Sequence, residues 1–156
     1  MTECPSDPDY YAHYNSRTCV LRCPDGWFAS NNTVTTSALR YCAQSNRCVS
    51  PKVADPIFNR CSPRCTIDPM FYAMPDTKLC GPDCFNGLFA DNTTGLCVTI
   101  CPSPYFGVNS TTYFTCVQYC PTDQFKLTPG RMCVAQCPEG LFSDNLTMSC
   151  VSECPD

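Results

Sequence analysis

Residues 84–101 read CFNGLFADNTTGLCVTIC, and the spacing of their cysteines, aromatic residue and Asn-Thr-Thr triplet predicts the fold of the whole chain. Residues 137–154, CPEGLFSDNLTMSCVSEC, have the same arrangement. In both stretches a phenylalanine follows the first cysteine by five residues, and three residues separate the last two cysteines. Such self-similarity over a short period is typical of a repeat array rather than of one globular domain.

The cysteine pair that closes this stretch recurs along the chain as a joint between modules. Seven joints have the form Cys-x-x-x-Cys, and Cys42 and Cys48 form the same joint with two extra residues. If the second cysteine of each joint starts a module, modules start at residues 4, 23, 48, 65, 84, 101, 120, 137 and 154. Modules this short cannot bury a self-sufficient core, so each needs a covalent staple such as one disulfide.

The aligned modules are of two kinds. The first kind has a phenylalanine five residues after its start, at Phe28, Phe89, Phe106, Phe125 and Phe142. We expect this ring to pack against its own disulfide and the next module's joint. The second kind has the pattern Asp-Pro-x-aromatic-Tyr-Ala, at residues 7–12 and 68–73, and its return after 61 residues indicates duplication of a larger unit.

Composition limits the class of protein. Cysteine accounts for 17 of 156 residues, which is typical of a secreted disulfide scaffold and argues against a cytosolic enzyme. The net charge of -4 has no basic run, so a nucleic-acid partner is excluded. No apolar run approaches the ~20 residues that cross a bilayer, so no membrane-spanning segment is expected in this window, and the array is expected to continue in both directions.

These features resemble the furin-like cysteine-rich repeats of growth-factor-receptor ectodomains and, more closely, the cysteine-rich arrays of protist surface proteins. The resemblance covers essentially the whole chain and rests on the cysteine spacing and a short Cys-Pro-x-Gly-x-Phe phrase. Together with the repeat pattern, it implies a small disulfide-rich repeat, an elongated rod of single-disulfide modules with short β-strands and little helix.

In that family's single-disulfide modules, the second cysteine of one joint bonds the first cysteine of the next. The resemblance therefore implies the pairs Cys4–Cys19, Cys23–Cys42, Cys48–Cys61, Cys65–Cys80, Cys84–Cys97, Cys101–Cys116, Cys120–Cys133 and Cys137–Cys150, and leaves Cys154 unpaired within the chain. Bonding within each joint and an interleaved pattern remain open from the sequence. The uniform separations of 13 or 15 residues in all pairs but Cys23–Cys42 favour the ladder.

The module starts also predict the organisation of the chain. Residues 1–22 are expected to form an N-terminally cut repeat module, residues 23–64 irregular longer modules, residues 65–153 five regular modules, and residues 154–156 the start of an unfinished one. The irregular region breaks the rhythm of the array, so we expect a bend or a lateral contact surface there.

Four N-glycosylation sequons begin at Asn31, Asn92, Asn109 and Asn145. Each lies eight residues after a module start, so all four are expected at one exposed address and glycosylated. The alternative is that these residues only form a turn, for which Asp-Asn-Thr is well suited. The rarer Asn-x-Cys sequences at Asn46 and Asn59 are expected to be unmodified.

No catalytic, metal or cofactor site is predicted. Structural zinc sites use tighter cysteine pairs and often histidine, and the chain has one histidine, His13, which we interpret as a surface residue. Aspartates such as Asp91 and Asp144 are expected to cap turns, because no loop has the spacing of a calcium site.

The modules without sequons carry clustered aromatic residues. A contact surface is predicted at Tyr10, Tyr11, Tyr14, Phe71 and Tyr72, since tyrosine is enriched in interface cores. Alternatively, these rings only cover their own disulfides. The predicted function is therefore a structural extracellular glycoprotein of a surface coat, stalk or filament that associates with itself or with other surface proteins. The alternative is a spacer in a receptor or adhesin ectodomain.

Overall fold

The computed structural model describes residues 4–5, 10–32, 39–68, 70–110 and 113–154. The chain divides into two compact units, residues 1–82 and 83–156. The boundary falls at the Cys80/Cys84 joint, within the stretch predicted as five regular modules.

The first unit contains eight short strands and one 3-10 helix, Ser45–Arg47, among its described residues. The strands are β1 (Tyr11–His13), β2 (Thr18–Val20), β3 (Trp27–Asn32), β4 (Leu39–Gln44), β5 (Val53–Asp55), β6 (Arg60–Ser62), β7 (Tyr72–Ala73) and β8 (Cys80–Gly81). The first six form a sheet in the order β2-β1-β4-β3-β6-β5. An isolated parallel bridge from Ala54 to Leu79 connects the β7–β8 hairpin to β5.

The second unit contains eight strands in its described part. They are β9 (Phe89–Asp91), β10 (Leu96–Val98), β11 (Phe106–Asn109), β12 (Phe114–Val117), β13 (Phe125–Leu127), β14 (Met132–Val134), β15 (Phe142–Asp144) and β16 (Ser149–Val151). Their order in the sheet is β15-β16-β13-β14-β11-β12-β9-β10. Each module thus contributes one antiparallel hairpin.

Eight disulfides staple these hairpins. Each joins a module's first cysteine to a cysteine on the second strand of its hairpin, as in Cys84–Cys97. The pairs are Cys4–Cys19, Cys23–Cys42, Cys48–Cys61, Cys65–Cys80, Cys84–Cys97, Cys101–Cys116, Cys120–Cys133 and Cys137–Cys150. These are the pairs that the family resemblance implies, and Cys154 is free and exposed. The predicted fold class, a small disulfide-rich repeat with short strands and little helix, is confirmed.

Successive hairpins are connected by parallel bridges only one residue long. In the second unit, Ala90 is opposite Thr115, Gly107 opposite Met132 and Lys126 opposite Ser149. The residue involved always lies six positions after a module start, directly opposite that module's second-strand cysteine in the antiparallel register. Each short hairpin therefore presents one edge to the module before it and the other edge to the module after it.

At four of the contacts between modules, the carbonyl of a left-handed residue, Asn59, Lys78, Arg131 or Met148, accepts the backbone bond. Arg17, Asn59, Lys78, Arg131 and Met148 have φ between 49° and 55°, and each lies two residues before a second-strand cysteine. The carbonyl of Lys78 accepts the N–H of Ala54 at 2.8 Å, and that of Arg131 accepts the N–H of Gly107 at 2.8 Å. A left-handed residue other than glycine costs about 1–2 kcal/mol, which the turn and the bond to the neighbouring module must offset.

The core consists of a phenylalanine lying on the following module's disulfide. Phe28 is 5% exposed and clusters with Cys48 and Cys61, and Phe89 is 5% exposed and clusters with Cys101 and Cys116. The expected packing against the next module's cysteines is therefore confirmed for Phe28 and Phe89. The expected packing against their own disulfides is not, because neither cluster contains the cysteines of the ring's own module. The reason is the antiparallel register, which directs the ring away from its own staple and toward the neighbour.

The five repeated phenylalanines are not equally buried. Phe106 and Phe125 are half-buried, and Phe142 is 55% exposed. Phe142 has no following disulfide to cover it, because Cys154 has no partner among the described cysteines.

Replacing both Cys84 and Cys97 by serine should destabilise one module by about 3 kcal/mol, as expected for a disulfide that closes a loop of about 15 residues. Hydrogen exchange should accelerate in β9 and β10, while β15 and β16 keep their protection because repeat modules contact mainly their neighbours. Cys154→Ser, which removes the free and exposed cysteine, is the matched control and should leave exchange unchanged. Uniform loss of protection throughout the second unit would contradict local stapling.

Gly107→Ala should also destabilise the second unit. A Cβ at Gly107 would lie 2.7–2.9 Å from three ring atoms of the buried Phe89. Overpacking of this kind typically costs about 1–3 kcal/mol. The local opening free energy of β11 and β12, measured by hydrogen exchange, should fall accordingly. Ser143→Ala, at the corresponding position of an exposed strand, should change it by less than about 0.5 kcal/mol. Equal effects of the two substitutions would show that the contact is absent.

Candidate functional site

The candidate site is the set of hairpin turns, because they place the sequons and the repeated aspartates together. The residue seven positions after a module start is buried in five modules: Ser30, Asp55, Asp91, Val108 and Asp144. It is the last residue of the first strand or lies one or two positions from its end, so its side chain points back under the turn. Burying a carboxylate is costly unless it is hydrogen-bonded, and all three aspartates are.

Asp91 organises the turn of the module at residues 84–97. Its Oδ1 accepts the backbone N–H of Thr93 at 2.9 Å and the hydroxyl of Thr93 at 2.7 Å. Its Oδ2 accepts the hydroxyl of Thr94 at 2.6 Å. The backbone N–H of Gly95 donates to the Asp91 carbonyl at 2.8 Å, closing the turn. The carboxylate thus accepts hydrogen bonds for which a four-residue turn offers no backbone acceptor.

Asp144 repeats this geometry in the last complete module. Its Oδ1 accepts the N–H of Leu146 at 2.9 Å, and its Oδ2 accepts the hydroxyl of Thr147. The two aspartates therefore cap turns, as the sequence predicts. Two repeats separated by 53 positions share two of these bonds, from the N–H two residues after the aspartate and from the threonine hydroxyl three residues after it, so these two bonds recur with the Asp-Asn-x-Thr phrase.

These bonds favour the ionised carboxylates. Burial raises the pKa of Asp91, but the combined hydrogen bonds from Thr94 and Thr93 outweigh it and lower the pKa below the ordinary 3.8. The Thr147 hydroxyl, followed by the Leu146 N–H, lowers the pKa of Asp144 against a smaller opposing effect of burial. Donors directed at a carboxylate stabilise its charged form.

The sequon asparagines lie on the outside of these turns. Asn31, Asn92, Asn109 and Asn145 are all exposed, as a glycan acceptor must be. Asn92 and Asn145 directly follow the buried aspartate, so the inward and outward residues are neighbours in sequence. Asn31 and Asn109 lie in β3 and β11, whose loops are longer, and their sequon threonines fall outside the described residues.

The sequon threonines of the two short turns have a second role. The hydroxyl of Thr94 belongs to the Asn92 sequon and donates to Asp91, and the hydroxyl of Thr147 belongs to the Asn145 sequon and donates to Asp144. In the folded turn, the threonine hydroxyl of the sequon is therefore already engaged in a hydrogen bond. Aligning the modules on their starts would have revealed the recurring aspartate, but not that it points inward.

The rarer sequence at Asn59 is engaged differently. Its side-chain Nδ2, the atom to which a glycan would be attached, donates to the carbonyl of Cys23 at 2.8 Å. Cys61, the third residue of that sequence, is bonded to Cys48. Lys78 has the same left-handed position in the next module, and its Nζ donates to the Cys48 carbonyl at 3.0 Å. Both side chains connect a module to the start of the one before it.

The predicted aromatic contact surface is only partly exposed. Tyr14 is 54% exposed and lies against Tyr41, with ring centroids 6.4 Å apart. Tyr10, Tyr11 and Tyr72 are half-buried. Phe71 packs against a cluster that contains its own disulfide, Cys65–Cys80, as the alternative interpretation has it. Whether these residues bind a partner stays a prediction.

His13 belongs to a small polar network on the first hairpin. Its Nδ1 lies 2.8 Å from Ser16 Oγ, which lies 2.6 Å from Thr18 Oγ1. Its ring contacts Trp27 edge to face at 4.8 Å. Nε2 has no hydrogen-bond partner within the described part of the chain. Asp7 and Asp9, nearby in sequence, lie outside the described residues.

Two further features are absent from the described residues, 4–5, 10–32, 39–68, 70–110 and 113–154. No group of three or more His, Cys, Asp or Glu side chains is placed to hold a metal ion. No helix within the described ranges is long and apolar enough to span a membrane.

Comparisons with known proteins do not identify the chain. No protein-family model, curated protein or solved structure matches it. The interpretation therefore depends on the fold and on the turns.

The lowered pKa values predict acid sensitivity of the two capped turns. A carboxyl group whose folded pKa lies below its unfolded value stabilises the fold above the unfolded value and loses this contribution as the pH falls through the folded one. The β9–β10 and β15–β16 hairpins should therefore lose protection at pH below the ordinary value of 3.8. Asp91→Asn should remove this pH dependence from β9–β10, as measured by hydrogen exchange corrected for intrinsic rates.

Two variants serve as controls for that measurement. Asp123→Asn changes an exposed aspartate of the same unit and should leave the pH profile of β9–β10 intact. Asp144→Asn should flatten the profile of β15–β16 alone. If wild type and Asp91→Asn lose protection in parallel on acidification, the carboxylate does not stabilise the turn.

Proposed function

We propose that the chain is a structural extracellular glycoprotein, a segment or subunit of a surface coat, stalk or extracellular filament. The observation that carries this proposal is the placement of four exposed asparagines eight residues after the module starts of a disulfide-stapled repeat. Disulfides on this scale are typical of secreted and cell-surface proteins. Glycans at one address of each module would keep that side soluble and leave the remaining surface for contacts.

The order of glycosylation and folding follows from the two short turns. The hydroxyls of Thr94 and Thr147 donate to buried carboxylates in the folded hairpin. A transferase that needs an extended sequon with a free hydroxyl would have to act before these hairpins close. We therefore place sugar attachment at Asn92 and Asn145 ahead of closure of Cys84–Cys97 and Cys137–Cys150.

Secretory expression of the chain in a eukaryotic host tests the proposal. Glycosidase-sensitive mass is expected on peptides containing Asn31, Asn92, Asn109 and Asn145. Asn59, whose Nδ2 is hydrogen-bonded, is the internal control and should carry none. Non-reducing peptide mapping of the same sample should recover Cys84 linked to Cys97.

The same sample also tests whether the purified chain assembles. Electron microscopy should show fibres or lattices at high protein concentration. Bare asparagines on a correctly disulfide-bonded, secreted protein would overturn the glycoprotein part of the proposal. Free thiols throughout the purified chain would overturn the extracellular part.

A further inference from the structure

One hairpin turn departs from the glycan-bearing pattern. Asp55 lies seven residues after its module start and is 1% exposed, like Asp91. The residues that follow it are Pro56, Ile57 and Phe58 instead of Asn-Thr-Thr, so this turn has no sequon. Ile57 is 50% and Phe58 57% exposed. The address that bears a sequon elsewhere presents apolar side chains here.

The turn keeps its aspartate anchor although the sequon is absent. Asp55 Oδ1 accepts the N–H of Ile57 at 2.9 Å, as Asp144 does with Leu146. Its Oδ2 accepts the hydroxyl of Thr66, from the next module, at 2.6 Å. Ile67, next to Thr66, is 54% exposed. Ile57 and Thr66, from two modules, thus both donate to the Asp55 carboxylate, and the exposed side chains of Ile57, Phe58 and Ile67 lie at or next to these donors in sequence.

Arg60 adds a positive charge beside these apolar side chains. We call the set Ile57, Phe58, Arg60 and Ile67 the Asp55 patch. The Arg60 guanidinium carbon lies 5.0 Å from the centroid of the Phe58 ring. The patch lies in the most basic part of the chain, because residues 39–64 contain five Arg or Lys and a single acidic residue, the buried Asp55. Aromatic residues and arginine are the side chains most enriched at interface hot spots.

The second unit offers a surface of complementary charge. Residues 83–156 contain seven Asp or Glu, of which Asp91 and Asp144 are buried, and two Lys or Arg. Asp83 is exposed and Phe85 is 57% exposed, so the order acid-x-aromatic faces outward there. In the Asp55 patch the order is aromatic-x-base, at Phe58 and Arg60. Opposed to each other, the two phenylalanines would meet and Arg60 would face Asp83.

We propose that the Asp55 patch of one copy docks on the Asp83–Phe85 surface of a second copy of this chain. The two surfaces belong to different units, so the contact is heterologous, and such contacts generate open chains when the rotation does not close a ring. The proposal rests on the proposed structural function and names the surface through which assembly proceeds. The unglycosylated turn is the only one of the three aspartate-anchored turns that could be buried without displacing a sugar.

The test uses the secreted, glycosylated full chain and sedimentation velocity over a range of concentrations. Phe58→Ser and Arg60→Glu should each weaken self-association by at least about tenfold. Leu146→Ser is the matched control for Ile57→Ser, because both residues lie nine positions after a module start and Leu146 is 90% exposed. Ile57→Ser should weaken association, and Leu146→Ser should not. Non-reducing peptide mapping verifies the disulfides of every variant.

A mixing experiment tests the head-to-tail arrangement. A Phe58→Ser chain has a damaged patch and an intact second unit, whereas an Asp83→Lys/Phe85→Ser chain has the reverse. Neither should form long assemblies alone, but a mixture should yield one-to-one dimers through the remaining pair of intact surfaces. If the mixture stays monomeric while the wild type assembles, the two surfaces are not partners.

The outcomes separate this proposal from the proposed function. If the wild type is secreted, glycosylated and assembled but all patch variants assemble equally well, the docking surface is wrong and the structural role stands. If the patch variants lose retention on a sulfated polysaccharide without any change in self-association, the partner is an anionic glycan and the proposal is overturned. If the wild type is neither glycosylated nor assembled, the proposed function itself fails.

Discussion

Each disulfide joins the start of a module to the second strand of its own hairpin, and the remaining interactions depend on this constraint. A hairpin with first strands as short as Phe89–Asp91 is marginal in water because it buries little apolar surface. The staple limits the unfolded states of the loop, so the hairpin is held in register before any neighbour is present. The sulfur atoms also provide the apolar surface on which the preceding module's phenylalanine packs, as Cys101 and Cys116 do for Phe89.

The link between modules is made of few but well-placed bonds. In four modules, one backbone N–H of the first strand donates to the carbonyl of a left-handed residue in the next module, as Gly107 does to Arg131 and Lys126 does to Met148. That residue turns the chain into the second strand and, by the same conformation, exposes its carbonyl to the neighbour. In the first unit, Asn59 and Lys78 add a side-chain bond to the start of the previous module. Turn geometry and stacking are therefore specified by the same residue.

The turns separate two chemical roles within adjacent residues. The aspartate is buried and holds the turn together, and the residue after it faces outward, where it is either a sequon asparagine or, at Pro56, part of an apolar tip. Because the anchor is common to both, the outward residues can change without altering the hairpin. In the structural extracellular role that we propose, glycan-bearing modules and contact-forming modules would alternate along one chain.

The sequence by itself determined the repeat pattern, the strand-rich character and the common distance of the sequons from the module starts, because all three follow from local spacing. The pairing of the cysteines came from the family resemblance, since spacing left other pairings open. The tertiary structure alone decided which disulfide each phenylalanine covers, which aspartates turn inward, and that Thr66 rather than a local threonine binds Asp55. It also showed that the Phe71 ring packs against a cluster that contains Cys65 and Cys80 of its own module. These features depend on how closely the hairpins of two modules approach each other, and that distance cannot be inferred from the residues of one module alone.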